Sequence, residues 1–113
     1  MDEHGKTGRI AELNDQLRTT FNPKAGKVFL TRGVADLPKE DQLGIIGLVQ
    51  AFNSFSEDND PYGEHDFGAV AHNGIQAFFK IDYYAPDMEH GSEEPSDPAK
   101  TVRVLTIMLA NEY

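Results

Sequence analysis

The sharpest chemical arrangement in this chain pairs His65 with Asp82. Asn73-Gly74, set between two apolar-rich segments, signals a two-residue type I′ hairpin, because that turn needs positive φ at both positions. With those two residues as the loop, His72 faces Ile75, Val70 faces Ala77, Gly68 faces Phe79, Phe67 faces Lys80 and His65 faces Asp82. A carboxylate opposite an imidazole orients one ring nitrogen, the arrangement general-base catalysis uses. Lys80 and Tyr84, on the same strand face as Asp82, would position an anionic group. His65, Asp82, Lys80 and Tyr84 are therefore the candidate catalytic residues. The competing reading is an ordinary cross-strand contact worth roughly 0.2–1 kcal/mol, and no Ser or Cys nucleophile is placed by spacing.

Metal chemistry is less well supported. Asp58, Asp60 and Gly63 match the first, third and sixth positions of an EF-hand calcium loop, but Tyr62 and Ala69 stand where further ligands belong and Pro61 interrupts the middle. The segment reads instead as a solvated loop with local Asp and Asn turn hydrogen bonds. His90, in His90-Gly91-Ser92, would have to join His65 with Asp82 or Asp66 to make a metal site, and no two histidines stand four apart on a helix. No metal and no cofactor is assigned. His72 beside the turn is expected to be solvent-exposed.

The elements that hold these residues follow from periodicity and breakers. Residues 1–8 read as a polar, frayed end that includes His4. Ile10, Leu13, Leu17 and Phe21 follow helical spacing up to Asn22-Pro23. Lys27–Thr31 is a short strand, and a second helix is capped at Asp36 or Leu37, with Pro38 in its first turn and Ile45, Leu48, Val49 and Phe52 on one buried stripe. In the hairpin, Val70, Ile75, Ala77, Phe79, Ile81 and Tyr83 share the core face, and His65, Phe67, Phe78, Lys80, Asp82 and Tyr84 the opposite one. Residues 101–109 are rich in β-branched side chains and read as a strand, with a helix capped by Asp97 as the competitor. The expected architecture is α+β: an antiparallel β-meander of three to four strands with two helices packed on one face, forming a single domain over residues 1–113.

Charge separates the chain into a neutral scaffold and an acidic module. Residues 1–56 hold seven acids and seven bases, whereas residues 57–97 hold eleven acids against Lys80 alone, within a net charge of −9. Two acidic loops, 53–64 and 85–97, flank the hairpin. Such a balance disfavours direct nucleic-acid binding, which needs Lys and Arg to displace counterions from phosphates. Asp58, Asp60, Glu64, Asp66, Asp87, Glu89, Glu93 and Glu94 are the candidate binding residues for a basic protein partner. The chain has no Cys, which excludes disulfides and thiolate chemistry. Its apolar runs are too short to span a bilayer, so the expected compartment is the cytoplasm.

The strings Asn59-Asp60-Pro61-Tyr62-Gly63-Glu64-His65-Asp66-Phe67-Gly68, Lys80-Ile81-Asp82-Tyr83-Tyr84, His90-Gly91-Ser92 and Arg103 to Tyr113 resemble the signature of a family of small proteobacterial proteins known only as a domain of unknown function. The resemblance covers roughly Ile10 to Tyr113. It implies no reaction; it implies a setting, cargo of plasmids, integrative elements and phages. The leading expectation is thus a small acidic binding protein of a mobile element, an inhibitor of host defence of the anti-restriction or anti-CRISPR kind. It would act on a basic nucleic-acid-handling protein such as a defence nuclease or effector. The alternatives are a hydrolase-like enzyme using the His-Asp pair and a homodimeric structural domain; the protein is expected to be a monomer or homodimer.

Overall fold

The computed structural model describes residues 3–113. Its elements are α1 (Glu3–Thr20), β1 (Lys27–Leu30), α2 (Arg32–Ala35), α3 (Lys39–Ala51), β2 (Phe67–His72), β3 (Ile75–Tyr84) and β4 (Val102–Leu109), with single 3-10 turns at Pro98–Lys100 and Ala110–Glu112. The fold is α+β. The strands form one four-stranded sheet in the order β1-β4-β3-β2.

The hairpin has the register that Asn73-Gly74 dictates, with Phe67 opposite Lys80, Gly68 opposite Phe79 and His72 opposite Ile75. Both turn residues have positive φ, 49° and 80°. β4 continues the meander antiparallel to β3, pairing Phe79 with Ile107 and Ile81 with Leu105. Residues 102–109 are therefore strand; Asp97 caps only the short 3-10 turn, accepting from the Ala99 N–H at 2.9 Å.

The sheet departs from an all-antiparallel meander at β1, which lies parallel to β4 with Val28 beside Leu105 and Leu30 beside Ile107. The cause is the long connection: β1 passes through α2, α3 and the hairpin before the chain returns, so no tight turn forces β1 and β4 to run oppositely. Two helix boundaries also differ from expectation. α1 begins at Glu3, so the described part of the end read as frayed is helical, His4 included. A one-turn helix, α2, occupies 32–35 and buries Val34 completely. α1 ends at Thr20, and Phe21, with φ of 55°, turns the chain before Pro23.

The core lies between the helices and one sheet face. Leu17, Val34, Ile45, Val49, Ala77, Phe79, Leu105 and Ile107 are fully buried there, each large side chain contributing roughly 1.5–3 kcal/mol by leaving water. Gly68 is required at its position, because a Cβ there would stand 2.7 Å from Cζ of Phe79. His72 belongs to this face too, which corrects the expectation of an exposed ring. Its Nε2 lies 3.2 Å from Asp41 on α3, and the ring fills the space left by the missing side chain of Gly44.

Among the described residues no α-helix covers the opposite face. Along it stand Phe78, Lys80, Asp82 and Tyr84 of β3 and Val104, Thr106 and Met108 of β4, and the last turn folds back to seat Tyr113 against Phe67 and Phe78 at 5.8 and 5.5 Å between ring centres. Glu112 anchors that turn. Its carboxylate accepts from Thr31 Oγ1 (2.6 Å), the Gly33 N–H (3.0 Å) and the Leu109 N–H (2.8 Å).

Candidate functional site

The proposed catalytic residues divide between the two faces of the sheet. Strict alternation would place His65 opposite Asp82, but β2 starts at Phe67, the last backbone bond before it being Ile81 N–H to Asp66 O at 2.9 Å. At His65 φ is 58°, and this single left-handed residue turns the side chain to the helix side. There its ring stacks on Phe55, 4.0 Å between centres and 2° from parallel. Nδ1 sits 3.0 and 3.1 Å from the two carboxylate oxygens of Asp15 on α1, and Nε2 lies 3.9 Å from Asp60. Asp82 instead pairs with Lys80 at 3.1 Å on the open face. The His65–Asp82 pair on which a general-base reading rested is therefore absent.

The imidazole belongs to a polar network on the helix side. Asn14, fully buried, donates from Nδ2 to Glu64 O (2.9 Å) and to the Tyr83 hydroxyl (2.8 Å), and accepts from Arg103 Nε at 2.9 Å. The Tyr83 hydroxyl donates to Glu64 Oε1 at 2.8 Å, and Arg103 Nη2 donates to Pro95 O. Burial pushes the Tyr83 phenol far above its ordinary value, with the Glu64 bond and charge adding to the rise; it remains a neutral donor. Arg18, also on α1, donates from Nη1 to the carbonyls of Val49, Gln50 and Phe52 at 2.9, 3.3 and 2.8 Å and from Nη2 to Asp15 at 2.9 Å. It thereby supplies donors to carbonyls at the C-terminal end of α3, of which Val49 O also accepts the Phe52 N–H at 3.3 Å. Asn14 and Arg18 stand four apart on the side of α1 that carries Ile10 and Leu17, and that polar interruption of an apolar stripe is the sequence signal for the network.

Both ring nitrogens of His65 face carboxylates, and no hydroxyl or thiol is bonded to either. What this arrangement does is fasten the 55–66 segment to α1. Asp60 braces the segment internally: it is buried and accepts the backbone N–H groups of Glu64 and His65 at 3.2–3.3 Å. Of the acids read as binding residues, Asp60 is thus the one whose carboxylate is buried against backbone. Glu64 and Asp66 are half-buried. Burial, then the charge of Glu64, raise the Asp66 carboxyl above its usual range.

Lys80, Asp82 and Tyr84 line a concavity of about 610 Å³ on the open face with Thr106, Met108, Glu112 and Tyr113. Lys80 is ion-paired with Asp82, and Glu112 accepts from Thr31 Oγ1 and the Gly33 N–H. His90 binds Asp87 at 2.9 Å, and together with Glu89 these three exposed groups could approach one cation. Neither His65, Asp66 nor Asp82 belongs to that cluster, so the metal site weighed across the two histidines does not form. The Asp87 carboxyl lies below its ordinary value, held first by the Glu89 N–H and then by His90.

A mixed sheet covered by helices on one face, with His65, His72 and the buried polar residues engaged in internal contacts, defines a small α+β domain with two acidic loops. Residues 30–112 match the family described as "Protein of unknown function (DUF3768)", and the chain belongs to that family. No curated protein and no solved structure matches the chain. No helix among the described residues is long and apolar enough to cross a membrane.

Proposed function

We propose that this protein is an acidic binding protein whose loop-bearing end docks on a basic protein. The observation that carries the reading is topological. The 53–66 segment ends where β2 starts, and residues 85–101 join the end of β3 to the start of β4. Since β4, β3 and β2 are neighbours in the sheet, both acidic segments leave from the same end of the molecule. Glu57, Asp58, Asp87, Glu89 and Glu93 are exposed there, and none has a Lys or Arg partner among the described residues. Carboxylates gathered on anchored loops mimic the charge of a phosphate backbone, which suits a Lys/Arg-lined surface of a nucleic-acid-handling protein and speeds encounter with it.

The motif resemblance supports a mobile-element setting and makes a host defence nuclease or effector the first partner to assay. The test is a pull-down from a defence-bearing host followed by binding measurements on the recovered protein across a salt series. The wild-type complex should weaken as salt rises, and the Glu57→Gln/Asp58→Asn/Glu89→Gln/Glu93→Gln variant should bind at least tenfold more weakly, on the order of 1.4 kcal/mol. Equal binding by the variant, or a host that restricts phage normally in the presence of the protein, would refute the reading.

A homodimeric role has its own support on the open face. Tyr113, 76% exposed, packs on Phe67 and Phe78, and Phe29, 52% exposed, stands on β1 opposite Thr106. Light scattering at high concentration tests it, a monomer ruling it out.

A further inference from the structure

The acidity of this chain has one local exception. A concavity of about 380 Å³ lies between α1, the 22–26 turn and the starts of β1 and β4, and its lining includes Arg9, Lys24, Lys27 and Arg103 but no acid. Four of the chain's ten Lys and Arg thus surround one cavity in a protein with 19 acids.

These cations are poorly compensated. Lys24 and Lys27 are exposed and have no ion-pair partner among the described residues. Arg9 has only the exposed Glu12, at 3.1 Å. Arg103 is 2% exposed, and its Nε and Nη2 go to neutral acceptors, Asn14 and Pro95 O, leaving Nη1 without a partner among the described residues. Burial disfavours the Arg103 charge most and Arg9 adds to that, while Tyr83, whose ring centre lies 5.3 Å from the guanidinium carbon, and Glu64 offset part of it. A buried guanidinium held by neutral oxygens, with a second guanidinium nearby, lowers its free energy when an anion arrives.

The scaffold fixes this corner. Gly26 brings the start of β1 against β4 so closely that a Cβ would stand 2.6 Å from Arg103 O. Leu13, Pro23, Ala25 and Val102 supply an apolar wall. The volume is within the range of small-molecule sites, roughly 300–1,000 Å³.

We infer that this corner is a binding site for a small ligand that carries a phosphate or carboxylate on a compact apolar body. The cations take the oxyanion and the wall covers the rest. The site adjoins the 85–101 segment through Pro98 and Thr101 but uses none of its carboxylates, and does not depend on the proposal that the acidic loops meet a protein partner.

The experiment is a chemical-shift titration of the ¹⁵N-labelled full chain with phenyl phosphate, benzoate and inorganic phosphate, each against a chloride control at equal ionic strength. Phenyl phosphate or benzoate should shift amides near residues 9, 24–27 and 101–103 to saturation, and whichever binds more tightly identifies the oxyanion. It should bind several-fold more tightly than inorganic phosphate, because only the ring reaches the apolar wall. Lys24→Gln/Lys27→Gln should weaken binding about tenfold without changing the melting temperature, since both side chains are exposed and unpaired. Lys39→Gln, on α3, should leave it unchanged. Shifts that never saturate, that spread equally over other surface lysines, or that persist undiminished in the Lys24→Gln/Lys27→Gln protein would overturn the inference.

Discussion

Replacing Arg18 by Met tests whether one buried cation joins the two long helices. The side chain is 3% exposed and lies over the rings of Phe55 and Phe79 at 5.4 and 5.5 Å, so Met retains much of the packing while removing every hydrogen bond. Lost with it are the bonds from Nη1 to Val49 O (2.9 Å) and Phe52 O (2.8 Å), the longer one to Gln50 O (3.3 Å) and the Asp15 contact. Bonds from a charged donor contribute roughly 1.5–3 kcal/mol each. The Asp15 carboxylate is 39% exposed and is rehydrated, so it adds little. Relief of the guanidinium's own desolvation, including that of Nε, which is buried without a partner, runs the other way. The two short carbonyl bonds less this relief leave a net loss of about 3 kcal/mol. For a domain of this size the melting temperature should then fall by roughly 10–15 °C. Urea unfolding followed by far-ultraviolet circular dichroism measures it, with an unchanged m-value showing that stability alone has moved. Arg18→Lys should lose an intermediate amount, since a single ammonium cannot serve α3 and Asp15 with the same fork. A loss under about 1 kcal/mol for Arg18→Met would refute the account.

Gly68→Ala should cost about 1–3 kcal/mol by forcing a methyl into the Phe79 ring; denaturant melts check it, and an unchanged midpoint would show that Phe79 can yield. Glu112→Gln should loosen the last turn, seen as a loss of near-ultraviolet signal from Tyr113 against Phe67 and Phe78, while the far-ultraviolet spectrum stays the same. In the wild type the Glu112 carboxyl is held below its usual 4.5 by Thr31 and the Leu109 N–H. This contribution is present above the unfolded value and lost as pH falls through the depressed one, so the Gly33 amide should titrate at lower pH than an ordinary Glu. Asp66 has the opposite sign. Its raised value means the charged form is disfavoured by the fold, a penalty absent below about 3.8 and fully expressed once pH exceeds the raised value. Asp66→Asn should therefore stabilise the protein near neutrality and not in acid, and an equal effect at both would contradict the assignment.

Much of the fold is legible in the chain because its signals are local. Asn73-Gly74 fixes a hairpin register by turn geometry alone, and that register assigns Ala77, Phe79 and Ile81 to the core. The β-branched run at 102–109 likewise gives a strand. The candidate site was harder to read, because it depends on where alternation stops. Extending the period-two pattern past Phe67 puts His65 opposite Asp82, whereas one left-handed residue sends the ring to Asp15, 50 positions earlier in the chain. His72 was missed for a related reason: its contact with Asp41 depends on the space above Gly44, which only helix-on-sheet packing creates.

The sequence by itself determined the α+β class, the hairpin, its core face and the confinement of excess charge to residues 57–97. Each follows from residues close in the chain, through turn dihedrals, side-chain periodicity or simple counting. Tertiary structure alone decided the parallel placement of β1, the buried roles of Asn14, Arg18, Asp60 and Arg103, and the collection of four cations in one corner of an acidic protein. Those outcomes depend on contacts between distant segments. There a polar group that leaves water must find a specific partner, and neither charge nor periodicity along the chain says which.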